Sequence, residues 1–175
     1  TTSLHAEFLV GTSTADITPE GPVALSGQFH LRIANQADTP LTANVIAIES
    51  TSESRASDFA VMVSCDLLYI PNEVLISVRE EVSQRLPELD VSKIFLNGTH
   101  THTAPVLIDD KYKIPSEGVI QPSEYRAFLA ERIAEAIDDA WNNRSPGSVS
   151  WGLSHATVGY SRRAVYADGS ARMYG

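Results

Sequence analysis

The sequence predicts an α/β domain with a mixed β-sheet and flanking helices. Three apolar segments rich in β-branched residues come first, and two amphipathic helical patterns with a short apolar segment between them follow. The chain has 175 residues, of which 43% are hydrophobic, so it is long enough to bury one core. The predicted element order is βββαβαβ.

The first three elements are predicted strands at 8–17, 41–49 and 59–68. Each is a run of apolar and β-branched residues that is too short for a typical helix. The turn signal Pro19-Glu20-Gly21-Pro22 follows the first strand, and an irregular stretch runs from there to Pro40. We therefore expect a long surface loop between the first two strands.

Two helices are predicted at 73–86 and 123–141 because their apolar residues recur at helical spacing. Asn72 is the expected N-cap of the first helix, and Pro87 ends that helix. A short buried strand at 93–96 separates the two helical patterns. The second helix follows a loop rich in Asp, Lys, Gly and Pro, of the kind that often forms a wall or lid of a site.

The last part of the chain predicts a strand at 149–160 and a hairpin with a turn at Asp168-Gly169. The sequence does not begin with Met, and its last residues carry no helix stop signal. We therefore expect that the chain is part of a longer protein.

Composition and charge exclude several classes of protein. The net charge is −9 and no segment has the cluster of Lys and Arg that phosphate neutralisation requires, so nucleic-acid binding is not expected. No run of about 18 apolar residues predicts a transmembrane helix. Cys65 is the single cysteine and lies in an apolar segment, which indicates a buried, unreactive thiol and no internal disulfide.

The most informative motif is His100-Thr101-His102, which follows the predicted strand at 93–96. In an extended segment the two imidazoles would lie on one side, with Cα atoms about 6.6 Å apart, a span that one cation can bridge. Neutral imidazole is the commonest protein ligand for zinc. The same spacing also occurs where one ring is buried and the other is solvated. Thr99, Thr101 and Thr103 supply hydroxyls that could orient the rings, or are ordinary strand residues.

Three other polar positions are candidates for chemistry. Asp16 and Asp66 each end an apolar strand, where a carboxylate can bind metal, orient a histidine or act as a base. For Asp16 we favour capping of the turn at Thr18, whereas the charge of Asp66 needs a partner. Arg162 and Arg163 offer guanidinium groups for a carboxylate, a phosphate or an oxyanion, and we expect at most one of them to do so.

Several segments resemble, in chain order, the neutral/alkaline non-lysosomal ceramidase family of zinc-dependent amidases, which cleave the N-acyl bond of ceramide. The histidine segment at 98–105 is the specific part of this resemblance and is similar to the family's Thr-His-Thr-His-Ser-Gly-Pro signature. The supporting segments are 11–19, 27–29, 40–45, 63–68 and 159–163. The resemblance spans nearly the whole chain.

The resemblance implies a role for three residues. His100 matches the zinc ligand of the signature, His102 matches the second histidine, which faces the substrate, and Arg162 matches an arginine that lines the same pocket. The remaining zinc ligands of the family come later than anything in this sequence. Residues 1–175 therefore correspond to the N-terminal portion of the catalytic domain, without a second domain.

The implied function is a zinc-dependent amidohydrolase that cleaves the N-acyl amide bond of ceramide or a related lipid amide. The implied cofactor is Zn²⁺, and the implied partner is a lipid-like substrate in sphingolipid metabolism, with contact at a membrane surface. Family analogy implies secretion or a periplasmic location. Two alternatives stay open: a non-catalytic lipid- or glycan-binding protein of the same fold, and a different metallohydrolase such as an esterase.

Overall fold

The computed structural model describes residues 7–52, 55–159 and 161–173. Its centre is a five-stranded sheet of β1 (Glu7–Asp16), β4 (Thr42–Ser52), β5 (Arg55–Cys65), β6 (Ile94–Gly98) and β7 (Ser145–Pro146). These strands lie in the order β6-β5-β4-β1-β7, in which β5 and β6 are parallel and the other neighbours are antiparallel. The predicted mixed α/β class is confirmed.

Two helices, α1 (Asn72–Arg85) and α2 (Pro122–Asn142), pack against each other and cover one face of the sheet. Alternate residues of the strands point into this core because side chains alternate between the two faces of a strand. On the covered face Val45, Val61 and Val63 are almost fully buried, whereas Met62 on the other face is 42% exposed. The core therefore lies between the sheet and the helix pair.

The first helix begins differently from the prediction. Asn72 is its first helical residue, and Pro71 occupies the N-cap position without a side-chain cap. The expected cap at Asn72 is therefore wrong, because proline already holds the extended conformation that precedes a helix. The second helix is confirmed, and the Gln121 N–H donates to the Glu124 carboxylate at 2.7 Å, which satisfies one free amide of its first turn.

The short strand after α1 lies at the edge of the sheet and is not buried throughout, contrary to the prediction. Ile94 is fully buried under α1, but Phe95 points to the open face and is 57% exposed. An edge strand with one covered face alternates in burial along its length. The parallel pairing of β6 with β5 across α1 forms a βαβ unit.

The predicted strand at 149–160 is wrong over the part that the structure describes. Residues 149–159 have no regular secondary structure, and Tyr160 lies outside the described residues. Only β7, three residues earlier, pairs with the edge of β1, at Leu9 and Val10. The apolar residues of the segment find no sheet partner there, and Trp151 is 91% exposed.

The predicted hairpin near the end of the sequence is present. The strands β8 (Arg163–Val165) and β9 (Ala171–Met173) pair antiparallel and form a separate two-stranded sheet. Gly169 has a φ of 80° in the connecting turn, a conformation that glycine adopts without steric cost. The Asp168-Gly169 turn is therefore where the sequence predicts it.

The long loop after β1 pairs with the residues that follow the histidine motif. It contains two short paired strands, β2 (Val23–Ala24) and β3 (Ile33–Ala34). An isolated bridge pairs Leu25 with Pro105, and the Ser26 N–H donates to the Ala104 carbonyl at 2.8 Å. These bonds fix the loop against the residues that follow His102. Neither helix of the described chain is long and apolar enough to cross a membrane.

Candidate functional site

The histidine motif lies just past the C-terminal ends of the parallel strands β5 and β6, where α/β sheets usually bind ligands. Two backbone bonds anchor it there. The Thr99 N–H donates to the Cys65 carbonyl and the His100 N–H to the Leu67 carbonyl, both at 2.9 Å. A Cβ at Gly98 would lie 2.7 Å from the Leu67 oxygen, so only glycine permits this approach of the two turns.

The backbone of His100 is left-handed, with a φ of 66°. The expected extended geometry of the motif is therefore wrong. Histidine enters this conformation more readily than most residues, but for an L-residue it costs on the order of 1–2 kcal/mol. Such strain occurs most often at functional sites. The two rings nevertheless lie close together, with centroids 5.1 Å apart and planes at 82°.

Each imidazole is held through its Nδ1 atom by a main-chain carbonyl. His100 Nδ1 lies 2.8 Å from the Leu68 oxygen, and His102 Nδ1 lies 2.9 Å from the Gly27 oxygen. A carbonyl can only accept, so Nδ1 of each ring carries a proton, and the neutral form of either ring then has its lone pair on Nε2. This arrangement is typical of histidines that bind metal or accept a proton.

The threonine hydroxyls next to the histidines do not orient the rings, contrary to one sequence interpretation. Thr101 and Thr103 bond to each other at 3.0 Å, and the Thr99 hydroxyl donates to Asp66 at 3.3 Å. Asp66 also accepts the Thr42 N–H at 3.0 Å and the Thr42 hydroxyl at 2.8 Å. Asp66 thereby joins β4 to the residue that precedes His100, and these donors are the partners that its charge needs.

Two other residues singled out from the sequence have structural roles. Asp16 accepts the Thr18 N–H at 2.8 Å, and hydrogen bonding from Thr18 lowers the pKa of this carboxyl. Asp16 therefore caps a turn, as favoured from the sequence. Cys65 is fully buried, and burial with the nearby Asp66 charge raises the pKa of its thiol to about 12. The predicted buried, unreactive thiol is consistent with this environment.

Gly27 is essential to the placement of His102. From the sequence alone, no function could be assigned to this glycine on the basis of its residue type. Its φ is 94°, and a Cβ added there would lie 2.6 Å from His102 Cγ. The absence of a side chain allows the Gly27 carbonyl to reach the ring. Only the resemblance of residues 27–29 to a family segment hinted at this position.

Arg32 and Tyr112 were missed entirely by sequence reasoning. One Arg32 Nη2 group donates to the carbonyls of His102 and Ser26, the latter at 3.2 Å, and the Tyr112 hydroxyl donates to the Gln28 carbonyl. A single arginine in an irregular loop and a tyrosine in another give no periodic signal. Their partners are backbone atoms that only the folded chain brings near.

Arg162 lies on an exposed stretch directly before β8. No hydrogen bond or ion pair within the described residues involves its side chain, and none links it to His100 or His102. The structure thus brings the two histidines together but does not bring Arg162 to them. Its role at the site stays a prediction.

The two histidines have the right chemistry for zinc but are too few to hold it alone. Their free Nε2 atoms and their carbonyl-bonded Nδ1 atoms are the donor arrangement that zinc takes from histidine. In the described part of the chain no group of three or more His, Cys, Asp or Glu side chains could hold a metal ion. A catalytic zinc site needs about three protein ligands. His100 and His102 therefore form at most part of such a site.

A cavity of about 240 Å³ adjoins the histidine segment at Thr103 and Pro105. Apolar residues such as Val23 and Leu41 line it together with polar ones such as Asp38. Pockets for drug-sized ligands span roughly 300–1,000 Å³. This cavity can therefore enclose only part of a lipid-sized molecule.

The fold and the site together define a mixed α/β domain with paired histidines at the C-terminal end of its parallel strands. Comparison with solved structures gives this class a specific match. A neutral ceramidase from Pseudomonas aeruginosa matches with a TM-score of 0.69 and 22% identity, over 82% of this chain and 23% of that chain. A ceramidase complexed with C2 matches with a TM-score of 0.66 and 21% identity, over 82% of this chain and 22% of that chain.

The predicted resemblance to neutral ceramidase is therefore confirmed at the level of the fold. Neither a protein-family model nor a curated protein matches the sequence of this chain. The chain spans less than a quarter of the length of the ceramidase structures that it matches. At this identity the likeness concerns the fold alone, so activity and substrate belong to the proposal that follows.

Proposed function

We propose that this chain is the N-terminal portion of the catalytic domain of a zinc-dependent amidohydrolase that cleaves the N-acyl bond of ceramide or a related lipid amide. One observation carries the proposal. Two imidazoles, 5.1 Å apart, each bond a backbone carbonyl through Nδ1 and keep Nε2 free at the ligand-binding edge of the sheet. The likeness of the fold to ceramidases supports the reaction class.

The two histidines have different roles in this proposal. His100 is the metal ligand, because its strained backbone and its Nδ1 bond to Leu68 fix the ring from both ends. His102 is held through Nδ1 by the Gly27 carbonyl of the preceding long loop, and in the proposal it faces the substrate carbonyl. Its Nε2 lone pair can accept a proton, and the protonated ring can then donate to the developing oxyanion. Arg162 is proposed to line the same pocket.

Zinc fits the donor chemistry of His100, and further ligands from outside this chain complete the set in the proposal. A bound zinc ion supplies Lewis acidity towards the scissile carbonyl. The described residues contribute the rest of the step: they orient the two rings, hold their protons on Nδ1 and fix the segment to the sheet edge. In this proposal the described residues supply only some of the zinc ligands, which explains why they contain no complete zinc site.

The proposed substrate is a lipid-like N-acyl amide, which places the protein in sphingolipid metabolism. The cavity at Thr103 takes one part of that substrate, and Phe29, which is fully exposed on the loop that holds His102, offers an apolar contact to a lipid surface. Secretion or a periplasmic location is proposed by analogy with the ceramidases of this fold.

The reaction class is tested by a panel of an N-acylsphingosine and its matched ester, assayed with the protein that carries this chain. We expect cleavage of the amide, and a His102→Gln variant should lower kcat by roughly 10²–10⁴-fold, the usual contribution of a general acid–base, because glutamine can donate a hydrogen bond but cannot take up a proton. His155→Gln is the matched control, because this histidine is exposed and has no hydrogen-bond partner among the described residues. Its activity should be unchanged.

The same panel separates the alternatives. Cleavage of the ester without the amide would contradict the proposal and favour an esterase. Saturable binding of the N-acylsphingosine without cleavage would contradict it as well and favour a non-catalytic lipid-binding protein. Full amide cleavage by the His102→Gln variant would remove His102 from the mechanism.

A further inference from the structure

We propose that Arg32 is a positioning residue that fixes the ring tautomer of His102 by clamping the loop 26–28 against the histidine segment. The function of the oriented ring rests on the proposed function above. The orientation itself does not, because it follows from contacts among described residues and can be measured without metal or substrate.

Arg32 binds both segments that the hydrogen bond between His102 Nδ1 and the Gly27 carbonyl connects. One Arg32 Nη2 group donates to the backbone carbonyl of His102 and to that of Ser26, the latter at 3.2 Å. Gly27, the next residue after Ser26, supplies the carbonyl that accepts from His102 Nδ1 at 2.9 Å. Arg32 therefore ties the backbone of the histidine to the backbone of the residue adjacent to the acceptor.

The loop has few other attachments at this point. Its base is closed by the Leu25 N–H, which donates to the Arg32 carbonyl at 2.9 Å, and by the Ser26 N–H, which donates to Ala104. Beyond the base, the Tyr112 hydroxyl holds the Gln28 carbonyl. Without the Arg32 guanidinium, the Gly27 carbonyl would still be restrained by its own bond to His102 Nδ1 and by the bonds that its neighbours Ser26 and Gln28 make.

The chemistry of Arg32 also points to a dedicated role. None of the ion pairs in the described chain includes Arg32, and its Nε atom is buried without a hydrogen-bond partner. A guanidinium that is partly buried without a carboxylate is retained at a cost in desolvation. Its bonds to two carbonyls are what the structure gains in return.

The chain contains a matched control in Arg79. Its Nη2 group also donates to two backbone carbonyls, of Ser92 at 3.1 Å and of Ile94 at 3.0 Å, and its Nε is likewise buried without a partner. Arg79 braces the start of β6 and contacts neither histidine. Removing it should cost the fold a comparable set of bonds and leave the tautomer of His102 unchanged.

The test is long-range ¹H–¹⁵N correlation spectroscopy of the histidine rings in the metal-free protein that carries this chain, at a pH where both rings are neutral. The parent should show His102 and His100 with the proton on Nδ1. Arg32→Met should convert His102 to a mixture with the Nε2–H form and leave His100 unchanged. Arg32→Lys, whose single ammonium can donate to both carbonyls, should restore the parent spectrum.

The outcomes separate this proposal from the proposed function. An unchanged His102 tautomer in Arg32→Met, or an equal change in Arg79→Met, would overturn the positioning role even if the parent cleaves amides. A shifted tautomer in Arg32→Met alone would establish that role even if the parent proves inactive. Where the parent is active, Arg32→Met should lower kcat roughly 10–100-fold with KM unchanged. If Arg32→Met does not fold, Arg32→Gln takes its place with the same expected tautomer shift.

Discussion

At the scale of single residues, the site depends on two unusual backbone conformations. His100 is left-handed although it is not glycine, and Gly27 is left-handed beside the ring of His102. With these conformations, the His100 ring meets the Leu68 carbonyl and the Gly27 carbonyl meets the His102 ring. Each ring is therefore held by a carbonyl, a group that does not gain or lose a proton. The chemistry therefore depends on backbone atoms as much as on side chains.

Replacing Gly27 by alanine tests this dependence. A Cβ there would lie 2.6 Å from His102 Cγ, so the ring must move and the bond from Nδ1 to the Gly27 carbonyl must break. We expect Gly27→Ala to lower the proposed amidase activity of the protein that carries this chain roughly 10–100-fold, the usual cost of losing a partner that orients a functional histidine.

Gly118→Ala is the matched control for this change. Gly118 also has a positive φ, 72°, but nothing lies within 4 Å of an added Cβ. Both variants carry the strain of a positive φ at a non-glycine residue, and Gly27→Ala adds the contact with His102, so its thermal unfolding temperature should fall further; only Gly27→Ala should lose activity. Equal activity of the two variants would mean that His102 does not need its present position.

At the scale of elements, the hydrophobic periodicity of the sequence predicted the longest strands and both helices. It did not predict whether a segment finds another strand to pair with. The strands β1, β4 and β5 and both helices were found because their apolar residues repeat with the period of the element. The strand expected at 149–160 has the same apolar character but no sheet edge beside it among the described residues. Strand pairing is a property of two segments, so one segment cannot reveal it.

The candidate site was predicted to a similar extent. The histidine pair followed from its motif, whereas its extended geometry was wrong because the turn at 66–69 imposes a left-handed residue at His100. Arg32 stayed hidden because its partners are carbonyls far from it in the sequence, such as that of His102. Contacts of this kind carry no residue-type signal.

The core between the helix pair and the sheet supports a prediction about α2. Ile133 is fully buried, and Ile133→Ala should lower the free energy of unfolding by about 2–5 kcal/mol through lost burial and a cavity. Urea unfolding measures this change.

The same truncation on α1 provides the comparison. Ile76 is 47% exposed on that helix, so Ile76→Ala should change the free energy of unfolding by no more than about 0.5 kcal/mol. Equal destabilisation by the two variants would contradict the assignment of the covered sheet face as the core.

At the scale of the whole molecule, the fold of this chain matches less than a quarter of the length of the ceramidase structures. Its described residues supply two well-oriented imidazoles but no third metal ligand. One face of the sheet carries the helices, and the other exposes apolar residues such as Met62 and Phe95. In the proposed function these residues supply His100 as a zinc ligand and His102 as its neighbour, and the remaining ligands come from residues other than those described.

The zinc content of the protein that carries this chain, measured by elemental analysis after removal of loosely bound metal, decides whether His100 is a metal ligand. We expect one zinc ion per molecule in the parent and in the His155→Ala control, and loss of that zinc in His100→Ala. A parent without zinc, or a His100→Ala variant that keeps its full zinc content, would contradict this prediction.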